Sequence, residues 1–201
     1  MEQQKTFVED IERTLYDIRN EDHSVYKTER GLTEDIIRDI SRQKKDPAWM
    51  LDFRLQSLEK YYQIPLPVWG PDISELNMDD IVTYVRPGGK MAGNWQEVPE
   101  EIKATFDRLG IPEAERTSLS GVGAQYDSEV VYHRVQKELS DQGVIYTDFE
   151  TAVHEYEDIV KEYFMKLVPP KDHKFAALHG AVWSGGSFVY VPEGVHVDIP
   201  L

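Results

Sequence analysis

The residues with the clearest capacity for chemistry lie near the C-terminus. His179, Glu193, His196 and Asp198 offer two imidazoles and two carboxylates, a donor set that suits iron or zinc. Such a site needs three or four ligands gathered at one point, and sequence spacing alone does not gather them. Surface histidines, or histidines covered by neighbouring structure, explain the same residues with fewer demands. His154-Glu155 opens like the helix of a zinc peptidase, but the position four residues on is Asp158 rather than a second histidine. Gly121-Val122-Gly123 lacks the third glycine of a dinucleotide loop and the strand–helix–strand setting it needs, so a turn before a helix is expected there. No P-loop is present, and Ser118, Ser120 and Ser187 lie outside any G-x-S-x-G elbow. Taken by themselves, these patterns assign the chain no catalytic, cofactor-binding or metal-ligating residue.

Composition narrows the classes further. The 201 residues contain no cysteine, which excludes disulfides, thiolate metal sites, cysteine nucleophiles and cysteine-held iron–sulfur clusters within this chain. The 37 acids against 22 Lys and Arg give a formal charge of −15, which repels phosphate backbones and anionic lipid surfaces. Nucleic acid and membrane are therefore disfavoured as partners. The polar start MEQQKTFVEDIERT is unlike a signal peptide, and no apolar run reaches membrane-spanning length, so a cytoplasmic location is expected. Four Trp, eleven Tyr and seven Phe supply core material and argue against wholesale disorder.

The elements that must position these residues are mostly helical. Phe7, Ile11, Leu15 and Ile18 fit a lone amphipathic helix or a charged tail over residues 1–30. Thr33 predicts an N-cap, with Glu34 and Asp35 in the first turn and Ile36, Ile37 and Ile40 as the buried stripe. Pro47 predicts the first residue of a second helix whose buried face is Leu51, Leu55, Leu58 and Tyr62. A loop-rich stretch follows, with a strand expected at Ile81–Val85. Pro99 opens a helix through Ile102, Phe106 and Leu109. Val131, Val135 and Leu139 predict another from about Ser128, and a short strand follows at Val144–Tyr146. Thr147-Asp-Phe-Glu150 reads as a capping box opening a helix through Ile159, Tyr163 and Leu167, stopped by Pro169-Pro170. Of the tryptophans, Trp49 and Trp183 suit the core, and Trp69 and Trp95 suit a contact surface.

After a helix over Phe175–Val182, the run SGGSFVYVPEGVHVDIPL changes character. Phe188, Tyr190, Val195, Val197 and Ile199 alternate with period two between glycine and proline corners. This suits one coil of a β-solenoid, with an edge left open to self-association into dimers or larger species. The fold class expected is α+β: an α-rich domain over 31–174, then the first coil of a truncated right-handed parallel β-helix over 175–201.

Several separated motifs resemble the SufB family, scaffold subunits of the SUF iron–sulfur cluster assembly system. They are DPAWMLDFRLQSLEKY at 46–61, WGPDISELNMDDIVTYV at 69–85, RLGIPEAERTSLSGVGAQYDSEVVYH at 108–133 and the closing KFAALHGAVWSGGSFVYVPEGVHVDIPL. The resemblance implies the N-terminal portion of a cytoplasmic scaffold working with a SufC-like ATPase, a SufD-like paralogue and sulfur donors. It also implies a longer protein whose sulfur- and iron-handling residues lie beyond Leu201, where none can be placed on this sequence. Some members carry cysteines in the loop matching Pro87–Pro99, where this chain has PGGKMAGNWQEVP. The expected role is therefore protein interaction without a catalytic site, and no cofactor is expected in this part of the chain. The alternatives are a small metal-dependent hydrolase using His179 and His196, or an independent acidic adaptor.

Overall fold

Thr33 closes the first turn of a helix as its residue type predicts, its Oγ1 accepting from the Ile36 N–H at 3.3 Å. A computed structural model describes residues 22–88, 95–108, 121–135, 137–198 and 200. In chain order come strand β1 (Ser24–Lys27), helices α1 (Glu34–Lys44) and α2 (Ala48–Gln63), and strand β2 (Val85–Pro87). Helix α3 (Glu100–Arg108), strands β3 (Gly121–Tyr126) and β4 (Glu129–Val135) and the single turn α4 (Lys137–Ser140) follow. Strand β5 (Ile145–Asp148), helices α5 (Phe149–Glu155), α6 (Glu157–Tyr163) and α7 (Lys174–Val182), and strand β6 (Ser187–Tyr190) complete the order.

The β-helix expectation is overturned. The three sheets of the described residues are two-stranded and antiparallel: β1 with β2, β3 with β4, and β5 with β6. Ser187–Tyr190 does form a strand, but it runs back along β5, with Ile145 opposite Tyr190 and Asp148 opposite Ser187. Gly185 and Gly186, at φ +66° and +104°, make the bend that brings the chain there. Val195 and Val197 lie in no strand: a turn closed by the Val195 N–H on Pro192 O takes their place, and Ile199 falls outside the described residues. Period-two alternation identifies a strand without naming its partner.

Other expectations change as well. The helix predicted from Ser128, and the turn predicted at Gly121–Gly123, are instead the β3–β4 hairpin. Asp127 at φ +52° and Ser128 form its two-residue turn, and the neighbouring Val130, Val131 and Tyr132 are strand formers. Thr147 ends β5, and Asp148 is the cap of α5, accepting from the Thr151 N–H at 2.9 Å. The helix expected to run through Leu167 breaks at Tyr156 and stops at Tyr163. The tail residues Phe7 to Ile18 and the glycine loop 89–94 lie outside the described residues.

The main core is the contact of α1, α2 and α7. Ile36, Ile37 and Ile40 meet Leu58, Tyr61, Ala177 and Ala181. Small residues on α7 let α2 approach closely, and a Cβ added at Gly180 would sit 2.6 Å from Ser57 Oγ. A second cluster, Met50, Ala152, Val153, Val160 and Trp183, joins α2 to α5 and α6. A third gathers Val98 and Ile102 with Trp95 and Phe106, so Trp95 is a packing residue rather than a free contact.

The buried face of α2 differs from the predicted one. It is Met50, Arg54, Ser57, Leu58 and Tyr61, and Tyr62 points outward. Arg54 is fully buried between the first two clusters. Its Nε meets Asp46 Oδ2 at 2.7 Å, Nη1 donates to Ala181 O at 3.2 Å and Trp183 O at 2.9 Å, and the guanidinium lies 4.5 Å from the Trp183 ring centre. Burial pulls its pKa down, and the Asp46 charge opposes this. Beside it, the Lys44 ammonium holds Glu129 at 2.9 Å, Glu150 at 2.7 Å and Ser128 O at 3.3 Å. Glu150 also accepts the Gly185 N–H at 2.6 Å, which ties the β6 bend to the end of α1.

Arg54→Leu strands the Asp46 carboxylate in the interior and is expected to cost about 3–5 kcal/mol. The Arg54→Leu/Asp46→Asn pair should cost clearly less than the sum of the single changes, as read from urea midpoints. Gly180→Ala forces α2 and α7 apart and should cost about 1–3 kcal/mol, with part recovered when Ser57→Ala removes the hydroxyl it meets.

Candidate functional site

Phe164 anchors the segment after α6, its ring 5.0–5.4 Å from those of Phe53, Phe149 and Trp183. Met165 then takes φ +48°, an uncommon backbone for a side chain of its size, and reverses the chain. The residues after this turn are thrown outward: Leu167 is 98% exposed and Val168 54%. Pro169 and Pro170 prevent the helix from resuming, so the apolar pair stays on the surface.

His173 restarts the helix. Its Nδ1 accepts the N–H groups of Phe175 and Ala176, each at 3.2 Å, and so caps α7. The imidazole meets the exposed Trp69 edge-to-face at 5.6 Å, which brings the WGPD loop to the same place. Between α6 and α7 this leaves a groove of about 460 Å³ lined by Tyr163, Leu167, Val168, His173, Phe175 and His179 among others. Its lining is chiefly apolar. At the α6 end the neighbouring Glu162 carboxylate raises the Tyr163 phenol pKa, with a smaller contribution from Tyr190 on β6. Val189, Tyr190 and Val191 continue the exposed apolar surface. Trp69, Tyr163, Leu167 and Val168 are thus exposed apolar residues around the groove.

The other sequence candidates do not converge. His196 pairs with Asp198 at 3.1 Å in the open, and Glu193 sits exposed in the turn before it. His154 and Asp158 fall on different helices, α5 and α6. Among the described residues no three His, Asp or Glu side chains are close enough to share a metal ion, so the hydrolase alternative has no ligand set there. His179 belongs to the groove, with burial and the Arg54 charge both lowering its pKa. Trp49 and Trp183 pack in the second cluster and Trp69 is exposed, as their surroundings in sequence suggest. Sequence reading missed Leu167 and Tyr163 as surface residues. The available signal was an apolar pair placed immediately before two prolines.

Known proteins identify the chain. Residues 43–201 match the family model described as the SufBD protein N-terminal region. The chain belongs to the SufBD family. Over 192 residues, 96% of its length, it is 56% identical to an "Iron-sulfur cluster assembly SufBD family protein" of Staphylococcus haemolyticus strain JCSC1435. Proteins of the same description from Staphylococcus aureus strains USA300 and NCTC 8325 are 55% identical over the same length. This SufBD-family chain spans about two fifths of these relatives, 41% of each. No helix among the described residues is long and apolar enough to cross a membrane.

The lowered pKa of His179 has a measurable sign. The unfolded chain takes up a proton near the ordinary value of 6.5, before the folded chain does. Stability therefore falls as pH drops below about 6.5, and this contribution vanishes above it. His179→Gln should flatten that part of the curve in urea denaturation at a series of pH values. An unchanged slope would show that the imidazole titrates alike in both states.

Proposed function

We propose that this chain is the N-terminal region of a SufB-type iron–sulfur cluster assembly scaffold, acting in the cytoplasm by protein contact. Its partners in this reading are a SufC-like ATPase, a SufD-like paralogue and sulfur donors. The observation that carries the reading is the family match over residues 43–201, joined by relatives whose printed description is iron–sulfur cluster assembly. The groove and the exposed apolar residues around it support a contact role, since among the described residues no set of metal-binding side chains converges there. Closure of one β6 edge by β5 leaves self-association without the open coil that the sequence suggested.

The cluster in this reading is cargo. Iron–sulfur clusters are held mostly by thiolates, and this chain has no cysteine to supply one. Its imidazoles and carboxylates do not gather into a substitute among the described residues. The contribution of this region in this reading is positioning and recognition, with no cluster ligand set among the described residues.

Two measurements test this. Anaerobic incubation of the chain with iron and sulfide is expected to give no cluster absorption after desalting, and a stable cluster spectrum would refute the cysteine argument. Depleting the full-length protein that contains this region should lower iron–sulfur enzyme activity in cells, with recovery on re-expression. Unchanged enzyme activity would count against the assembly role.

A further inference from the structure

Extended chain over residues 64–69 leads out of α2 as a strap across the first turn of α7. Pro65 and Pro67 hold their own φ at about −65° and bias the residues before them, Ile64 and Leu66, toward extended backbone. Ile64 adopts it, at φ −85° and ψ 128°. Both ends of the strap are tied down. Ile64 packs against the main core, and its carbonyl accepts from Lys174 Nζ at 3.1 Å. Trp69 meets the His173 ring edge-to-face at 5.6 Å. Gly70, at φ +93°, then turns the chain away. Between the two anchors Leu66 is 40% exposed, Val68 102%, and Pro65 is exposed beside them. Among the described residues no hydrogen bond engages Pro65, Leu66, Pro67 or Val68. The strap therefore offers carbonyl acceptors, and at its two prolines it has no N–H to offer.

We propose that residues 65–69 dock, as a short polyproline II strand, into an aromatic-lined groove of a partner protein. The proposal deepens the assembly reading and rests on it for biological purpose, since it states the chemistry of one contact made by this region. Grooves of that kind lay aromatic rings against proline and aliphatic faces, and their indole N–H and phenol O–H groups donate to the strand's carbonyls. The strap supplies the complement: two proline rings, the exposed side chains of Leu66, Val68 and Trp69, and backbone acceptors without internal partners. Its two anchors on α7 hold it extended before any partner arrives, which lowers the entropy lost on binding. Pairing with a partner's β-strand suits it less, because Pro65 and Pro67 remove alternate donors from the ladder. No residue over 64–71 is charged, so the strap itself contributes no ion pair.

The test titrates the full chain by calorimetry with three probes taken one at a time: a SufC-like ATPase, a SufD-like paralogue and a sulfur donor of the same organism. One of them is expected to bind, and Val68→Asp should weaken that binding at least about tenfold. Its thermal midpoint should hold, because Val68 is fully exposed. Pro65→Ala with Pro67→Ala should weaken binding about three- to tenfold, by loosening the strap and removing its rings. In the bound partner, proton NMR should show shifted tryptophan or tyrosine ring signals that the Val68→Asp chain does not produce. Four results would overturn the proposal. They are binding by none of the three probes, binding indifferent to Val68→Asp, partner shifts that spare every aromatic ring, and tighter binding by the double proline variant. The last would mean that the restored N–H groups pair with a β-strand. Self-association of the chain that Val68→Asp abolishes would also overturn it, because the occupant would then be a second copy. The assembly reading is judged separately, by recovery of iron–sulfur enzyme activity when depleted cells re-express the unaltered full-length protein. Recovery there without binding at the strap removes the strap contact alone.

Discussion

Arg54 carries a full charge into the centre of the molecule, and most of the fold can be described by how that charge is accommodated. Asp46 neutralises it from the start of the same helical hairpin, and two carbonyls at the end of α7 accept from Nη1, while Nη2 has no hydrogen-bond partner among the described residues. Trp183 covers its face. These contacts fix α2 against α7, fix the exit of α7, and so fix the bend that leads to β6. Lys44 does the same for the hairpin and for α5, since Glu129 and Glu150 both turn inward to it. Geometry of this kind is demanding, because a buried charge with a missing partner costs far more than a missing methyl group. The two cations therefore select one arrangement of elements that apolar contact alone would leave loosely specified.

The groove depends on this arrangement. Its α7 wall is held by the Arg54 contacts, and its α6 wall is held by Phe164 in the second cluster. Between them the Met165 turn and the two prolines keep Leu167 and Val168 outside. A rigid frame thus presents an apolar surface that the described residues leave uncovered. That is the physical basis for reading this SufBD-family region as a contact module.

Sequence alone revealed the elements whose signals are local. Thr33, the two acids after it and the isoleucine stripe specified α1, and Pro47 marked the start of α2 to within one residue. It misplaced the buried face of α2 because Arg54 and Ser57 are polar residues inside, and a hydrophobic pattern treats them as solvent-facing. Spacing of Val131, Val135 and Leu139 satisfied a helical period, yet the strand-forming neighbours and the Asp127-Ser128 turn decided for a hairpin. The strand at Ser187–Tyr190 was legible, and its pairing with β5 was not, because register and direction are settled by contacts some forty residues away. The groove was hidden for a related reason. Its residues are contributed by the end of one helix, a turn and the start of another, and none of these is unusual by itself.

Arg54 has one more consequence, which concerns synthesis rather than the finished fold. Ala181, whose carbonyl it binds, is 127 positions further along the chain. At ordinary rates of translation the α1–α2 hairpin waits roughly 6 to 25 s for that partner to be made. During the wait its apolar face is exposed, but the middle of that face bears a guanidinium that water can solvate. The same charge that later selects the native packing interrupts a sticky surface on the unfinished chain, and so guards it against premature association on the ribosome.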